Sequence, residues 1–520
     1  MEEVKTAVQE AVKAVYNLAI EPEVNFADPK FGDFATNVAL KLSKKLQQSP
    51  QKIATRLLEA INKDNIQKIE IAGAGFINIE MTSQYWQQVL NTINTNYLNN
   101  GLNKGKKIQV EFISANPTGP FTLGNARGGF VGDVLANVLA ASGAKVTREY
   151  YFNDAGTQIK ELLKSVRASG GMSIDGETQY RGEYINDLAK RFNTILATDD
   201  NTLAHQLTAD IFQNHIEPAL EAMGITFDEF FNEGTLSEQF GDLKVLLSRE
   251  ELLEEKAGAL WLRSSSYGDD RDRVLIKTSG DITYLGNDIA YHSQIFSIRK
   301  FDKAIKVWGA DHAGQVPSLQ LTIKRLFPEK ELDFVIVQWV RLIRGGKEFK
   351  ISKRAGTFVT VEELIQEVGT EVARFFMLMR SNDTHMDFDL DLAKEQSQKN
   401  PFYYVMYAYV RANSIISQAK AKGLKPGKAI TALESEEKEI IRQLAQLPQL
   451  VENLSSTYEV HKLTFYGIEL ARRFHDYYEQ TRIIDLPQPQ AAEKLYFLQQ
   501  FVTAMQSYWQ ILGIDPREKM

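Results

Sequence analysis

Residues 108–143 read IQVEFISANPTGPFTLGNARGGFVGDVLANVLAASG. The first seven, IQVEFIS (108–114), are apolar and β-branched enough to form a strand buried on both faces. ANPTGPFTLGN (115–125) then interrupts the chain with prolines and glycines, and ARGGFVGDVLANVLAASG (126–143) continues as a helix. A strand that turns through such a loop into a helix brings backbone N–H groups and the positive end of the helix dipole to one point. That makes an anion site. Gly119 and Gly124 let a nucleotide approach the main chain closely. A plain strand–turn–helix connection would look the same, so the rest of the chain has to decide.

Further along, strand-like runs at 148–152, 273–277, 305–308 and 334–340 alternate with helical ones. Strands separated by helices predict a parallel, doubly wound, Rossmann-like sheet over about 101–398. The stretch 160–270 is long for a single crossover and reads as mostly helical, with an insertion. Ligands of such sheets bind beyond the carboxyl ends of strands. This singles out WGADHAG (308–314), which follows the run IKVW. Asp311 and His312 there can hold a ribose or an amino group, or be a helix cap and a surface residue. If 284–296 is helical, Tyr284 and Asp288 share one face. KISKRAGT (350–357) gathers Lys350, Lys353 and Arg354 into a basic loop that can neutralise charge on a departing pyrophosphate. A solvated turn has the same composition. GxxxxGK[ST] does not occur, which excludes a P-loop protein.

Residues 1–100 predict a separate α+β unit, with helical periodicity at 1–19 and around 36–63. KIEIAGAGFINIEM (68–81) alternates as two strands about a tight Gly73–Gly75 turn, and YLNNGLNKGKK (97–107) reads as a linker. From 399 to 520 strand patterns vanish, predicting an all-helical bundle. Thr431 and Glu434 fit a capping box ahead of Ile440, Ile441, Leu444, Leu447, Val451 and Leu454. The 520 residues, 43% hydrophobic and 24% charged, suit a globular protein of several domains. No apolar run reaches the roughly 18 residues of a membrane span, and the N-terminus lacks the basic start and apolar core of a signal peptide. A cytoplasmic protein without a membrane partner is expected. The absence of cysteine excludes disulfides, thiolate nucleophiles and Cys-ligated zinc. The seven histidines form no close pair such as HExxH, so no structural metal is expected. A net charge of −7 speaks weakly against nucleic acid, because local patches count for more than the sum.

The order of these segments resembles the class I aminoacyl-tRNA synthetases, and their wording resembles the arginyl family over essentially the whole chain. FGDFATNVALKL (31–42) and AGAGFINIE (72–80) are similar to that family's N-terminal domain, which touches the tRNA elbow. EFISANPTGPFTLGNARGG (111–129) resembles its first signature, and YYFNDAGTQI (150–159), TYLGNDIAYH (283–292) and WGADHAGQVP (308–317) continue the match. KISKRAGTFVTVEELIQEVG (350–369) resembles the second signature loop. MDFDLDLAKEQSQKNPFYYVMYAYVR (386–411) resembles the junction into a helical anticodon-binding domain, and ILGIDPREKM (511–520) the usual closing segment.

The resemblance implies a reaction and its groups. ATP, its phosphates bridged by Mg²⁺, would activate L-arginine to arginyl-adenylate, and a monomer would pass the arginyl group to the 3′ end of tRNA-Arg. Lys353, Lys350, Thr122 and Asn125 would be catalytic. Pro117, Thr118, Gly119, Gly124, Asn125, Asp311, His312 and Lys353 would hold ATP. Glu111, Ser114, Asn116, Tyr284, Asp288 and Gln315 would hold arginine, whose planar fork of donors suits carboxylates. The tRNA would meet Asn37, the residue before Val38, and Tyr403, Tyr407 and Arg411, since unstacked bases want aromatic or guanidinium platforms. By spacing alone, Tyr403 and Tyr407 on one helix face suit packing better than stacking.

Two positions depart from the family pattern. The first signature usually carries His-x-Gly-His, and Thr122 and Asn125 stand at those places. Both can donate hydrogen bonds, but neither can carry a positive charge. A lost charge-assisted bond is worth about 1–3 kcal/mol, or roughly one to two decades of rate. Two expectations follow: an active ligase in which Lys353, Arg354 and Mg²⁺ compensate, or a weakened paralogue that binds tRNA without activating arginine. A cysteinyl synthetase shares the core, but its Cys-ligated zinc has no counterpart in a chain without cysteine.

Overall fold

The computed structural model describes residues 1–153, 156–349 and 359–517. Its first unit is a four-stranded antiparallel sheet in the order β1 (Val24–Phe26), β2 (Phe34–Thr36), β4 (Phe76–Met81), β3 (Ile66–Ala72). β3 and β4 form the expected hairpin, with Gly73 and Gly75 at positive φ in the turn. The helical stretch around 36–63 is two helices, Val38–Leu46 and Pro50–Ala60. They are separated because Gln47 turns left-handed (φ 51°) and Ser49 caps a new helix that opens on Pro50.

The central sheet has five parallel strands: β5 (Lys107–Glu111), β6 (Lys145–Phe152), β7 (Glu229–Asn232), β11 (Lys303–Gly309) and β12 (Glu331–Val337). Their order is β12-β11-β5-β6-β7, so the chain fills one side of β5 and then returns to the other. The direction reverses between β5 and β11, the switch point beside which ligands of such sheets bind.

Two expectations need correction. The run 273–277 is β10 (Arg273–Ile276), and it pairs antiparallel with β9 (Ala259–Leu262), which pairs with β8 (Leu253–Lys256), outside the parallel sheet. The region 160–270 is mostly helical, as expected, and also contributes β7, β8 and β9, four-residue strands too short to show a period of two. The run 334–340 is also divided: β12 ends at Val337, and β13 (Val340–Arg344) begins a fourth sheet with β14 (Lys347–Phe349) and β15 (Met386–Asp389).

The helix after β5, Leu123–Ala141, is buried on nearly every side. Gly132 lets it lie on the strand: a Cβ there would stand 2.3 Å from Cγ of Phe112. Arg127 is buried and donates to the carbonyls of Gln338, Thr384 and Ser381 at 2.8–2.9 Å. Asp133, two turns on, pairs with the buried Arg374, which also donates to the Leu512 and Met223 carbonyls at 3.1 Å.

Four helices, Pro401–Ala421, Ser435–Thr457, Lys462–Gln480 and Gln488–Ile511, make the C-terminal bundle. The second is capped by Glu434 with Glu437, one turn beyond the expected box. Thr431 is drawn off because Glu493 accepts both its N–H and its hydroxyl, at 3.0 and 2.6 Å. The bundle meets the first unit where Arg442 donates to the Ala27 carbonyl and Lys438 lies 3.3 Å from Asp33. It meets the central sheet where the Tyr458 hydroxyl donates to Asp333 (2.6 Å). Among the described residues no helix is long and apolar enough to cross a membrane.

Candidate active site

A cavity of about 840 Å³ opens at the carboxyl ends of β5 and β11. Glu111, the last residue of β5, points into it from a buried position. Just beyond, Ile113 and Ser114 adopt φ of 66° and 41°. A β-branched side chain is strained in that region, and such strain collects at functional sites. The turn aims the Ser114 hydroxyl at Glu111 Oε1 (2.9 Å), while its oxygen accepts the Tyr151 N–H (3.1 Å). From β11, in register with Glu111, the buried Lys306 places Nζ 2.7 Å from Glu111 Oε2.

The helix Tyr284–Ser297 forms the next wall. Asp288 and His292 face the cavity from one side of it, and Tyr284 stands exposed at the mouth. Asn287 donates to Glu233 Oε1 (2.9 Å), which brings a third carboxylate to the pocket. Burial, reinforced by the charges of Glu111 and Glu233 and opposed by Lys306, pushes the Asp288 carboxyl up to about 7. His292 Nδ1–H donates to the Asp288 carbonyl (2.6 Å), and its buried Nε2 meets no partner among the described residues. Burial, then Lys306, holds its basicity far below the usual value, so the ring is neutral.

At the opposite wall the helix Leu123–Ala141 begins. Thr122 caps it, and Asn125 Oδ1 accepts both the Thr122 N–H (2.9 Å) and its hydroxyl (2.8 Å). The Thr122 hydrogen is therefore spent, contrary to the expectation that both residues donate. Only the amide NH₂ of Asn125 is left for a ligand. Gly124, Asn125 and Thr118 line the cavity, whereas Pro117 and Gly119 do not. The space a Gly119 side chain would fill is taken by the Tyr184 ring, 3.0 Å from a Cβ there, with the Tyr184 hydroxyl donating to the Thr118 carbonyl (3.1 Å). That glycine makes room for a tyrosine, not a nucleotide.

Asp311, His312 and Gln315 line the cavity from the short turn Ala310–Gln315 after β11, with the first two exposed. Asn116 lies on the wall and donates to Gln158 (2.7 Å). Lys350 and Lys353 fall outside the described residues. The chain re-enters at Val359, and Thr360 bridges to Thr122 beside the cap of the helix.

The residues assigned to tRNA lie elsewhere. Tyr407 and Tyr478 sandwich the Arg411 guanidinium at 4.3 and 4.0 Å, so one face of Tyr407 is already stacked. Tyr403 packs edge-on against Phe402, and Asn37 donates to Glu23 (3.0 Å) in the first unit. Sequence reasoning missed Glu233, Lys306, His292 and Tyr151. Glu233 follows the four-residue β7, and Lys306 interrupts an otherwise apolar strand, the one local sign that could have flagged it.

Three family models match the chain in order. They are described as the arginyl tRNA synthetase N terminal domain (residues 2–81), the tRNA synthetases class I (R) catalytic domain (86–391) and the DALR anticodon binding domain (405–520). The arginine–tRNA ligase of Citrifermentans bemidjiense is 38% identical over 531 residues, covering 96% of this chain and 95% of its own. That of Bacillus cereus is 38% identical over 557 residues, covering 100% of both. The solved Thermus thermophilus arginyl-tRNA synthetase shares the fold with a TM-score of 0.81 over 100% of both chains, at 19% identity.

Proposed function

We propose, from the premise that this chain belongs to the arginyl-tRNA synthetase family, that the cavity beside β5 and β11 is where it activates arginine. The protein is an arginine–tRNA ligase: it uses ATP to activate L-arginine and joins the amino acid to the 3′ end of tRNA-Arg. The observation that carries the location is the acidic pocket of Asp288, Glu233 and Glu111. Burying three carboxylates around one lysine is costly unless a cation joins them. A guanidinium stays charged at every accessible pH and presents five donors in a plane. Tyr284 covers it from the mouth. Asn116 and Gln315, on the cavity wall, take the amino and carboxylate end, with Ser114 holding Glu111 in line.

ATP lies along the other wall. The N-terminal N–H groups of the helix Leu123–Ala141 and the Asn125 amide face its phosphates, with Gly124 beneath the base and Thr118 beside it. Asp311 and His312 reach the ribose. Lys353 and Lys350 neutralise the triphosphate. Among the described residues no group of three acidic or histidine side chains is arranged to hold a metal ion. Mg²⁺ prefers phosphate oxygens and water to a protein cage, so it arrives on the triphosphate as part of the substrate. The arginine carboxylate attacks the α-phosphate in line and pyrophosphate leaves. A hydroxyl of the 3′-terminal adenosine then attacks the adenylate carbonyl and AMP leaves. Position and charge do this work without a protein nucleophile. The bundle, through Tyr403, Tyr407 and Arg411, grips the anticodon loop, and the first unit, near Asn37, meets the tRNA elbow. The enzyme acts as a cytoplasmic monomer.

ATP–pyrophosphate exchange with arginine, with and without tRNA-Arg, tests this on the wild-type chain, Asp288→Asn, Asn125→Ala and Lys353→Ala. Asp288→Asn is expected to raise the arginine KM at least ten-fold and leave that for ATP alone. The other two lower kcat, Asn125→Ala by about ten-fold, the worth of one neutral donor. An unchanged arginine KM in Asp288→Asn would remove arginine from this pocket.

A further inference from the structure

We propose that Lys306 is a positioning residue for arginine: buried beneath the cavity, its ammonium fixes Glu111 and offsets the acidic wall, leaving Asp288 and Glu233 to take the guanidinium. The inference rests on the assignment of that pocket to arginine and goes on to say how its charge is set.

Lys306 has no solvent exposure. Its ammonium donates to Glu111 Oε2 (2.7 Å) and Gln109 Oε1 (2.9 Å), and it sits 4.3 Å from the centre of the Tyr291 ring. Glu111 Oε1 in turn receives the Ser114 hydroxyl, so both oxygens of this carboxylate are tied to the protein before any substrate arrives. Gln109 donates onward to the Tyr291 hydroxyl (3.0 Å), so the lysine's neighbours are themselves fixed. A buried ion pair of this kind is weak support for a fold. Apolar residues of similar volume often serve stability as well or better. Its place beneath a pocket of carboxylates suggests a different use.

The charged and titratable groups around it come from every neighbouring element. β5 supplies Glu111, and β6 supplies Glu149. The helix Tyr284–Ser297 supplies Asp288, Tyr291 and His292, with Arg299 just after it, and Glu233 follows β7. Arg299 is committed to Glu149 and Glu229, and the Tyr291 hydroxyl also donates to Glu149. Among these groups Lys306 is the cation that faces Glu111 and Asp288. Without it, the unpaired Glu111 would repel Asp288 and Glu233. Asp288 would hold its proton to higher pH, and a guanidinium would have to displace it.

The experiment is the arginine KM in pyrophosphate exchange, from pH 6 to 9, for wild type, Lys306→Met and Lys306→Gln. Both variants are expected to move the acid limb of arginine affinity upward by about one pH unit. That is roughly a ten-fold higher arginine KM at pH 7, recovered toward pH 9. The ATP KM should stay within about two-fold. The double variant Lys306→Met, Glu111→Gln removes both charges at once, and its limb is expected to lie where the wild-type limb lies. Should Lys306→Met fail to fold, Lys306→Gln and the double variant carry the test. A folded lysine variant with the wild-type limb, a loss equal at every pH and in both substrates, or a double variant whose limb stays shifted would each overturn the proposal. Asp288→Asn separates the two claims. If it leaves the arginine KM alone, the pocket assignment fails. If it raises KM while the Lys306 limb does not move, only the role of Lys306 fails.

Discussion

At Asp288 a carboxyl group is kept where its charge is opposed until a cation arrives, and the sign of the resulting pH effect can be worked out. Its pKa rises from 3.8 to about 7 in the folded chain, chiefly through burial. The folded state therefore binds this proton more tightly than the unfolded state. The contribution is fully favourable below about pH 4 and is lost as pH rises toward 7. Without arginine, Asp288→Asn should melt higher than wild type at pH 8, by up to about 4 kcal/mol, and match it near pH 4. Thermal unfolding at the two pH values, with arginine added to stabilise wild type more than the variant, checks this. A variant that melts lower at pH 8 would mean that the carboxylate is already paired. Glu111, Asp288 and Asn125 were singled out because their positions match motifs of the family the chain resembles, and all three line the cavity. Glu233, Lys306 and His292 were not. Their meaning lies in side chains brought together from separate segments, which no local pattern records.

Between strand and helix the deciding contact is Gly132 on Phe112. Replacing Gly132 with alanine gains about 1 kcal/mol of helix propensity. It also drives a methyl group to 2.3 Å from a ring that is itself wedged 4.6 Å from Phe227. Overpacking costs about 1–3 kcal/mol, more when the backbone must shift, so Gly132→Ala should be destabilising by roughly 2 kcal/mol. Gly128, one turn earlier, has nothing within 4 Å of its Cβ position. Gly128→Ala should therefore be stabilising by up to about 1 kcal/mol. Urea unfolding of the pair checks the contrast, and equal shifts would refute the packing argument. The strand–loop–helix unit was readable because a long apolar run, a Pro/Gly break and a nineteen-residue helix follow one another. The sheet β8–β10 and the cap at Glu434 were not, since short strands carry little periodicity and Thr431 answers to a partner 62 residues away.

Across the whole molecule one hydrophobic cluster runs through all three units, and polar contacts mark its seams. Arg442 is buried at the seam between bundle and first unit. It donates to the Ala27 carbonyl and lies 3.8 Å from Asp33, which also accepts the Met81 N–H. Breaking a buried charge arrangement by removing one partner costs about 3–5 kcal/mol. Arg442→Ala should therefore loosen the first unit and speed tryptic cleavage near Lys104–Lys107, while arginine-dependent exchange in the core persists. An unchanged digestion pattern would show that the seam does not depend on this residue. The presence of a parallel sheet and a helical bundle was visible in the periodicities, but their docking was not, because Arg442, Lys438 and Tyr458 look like ordinary surface polar residues in one dimension. The Arg374 pair has a consequence in time. Arg374 reaches its Leu512 acceptor 138 residues downstream. As the chain leaves the ribosome, the sheet and the helix bearing Asp133 emerge first and wait with that guanidinium incompletely partnered. A polypeptide released before Leu512 is made holds that guanidinium only through Asp133 and the carbonyls of Met223 and Gly224.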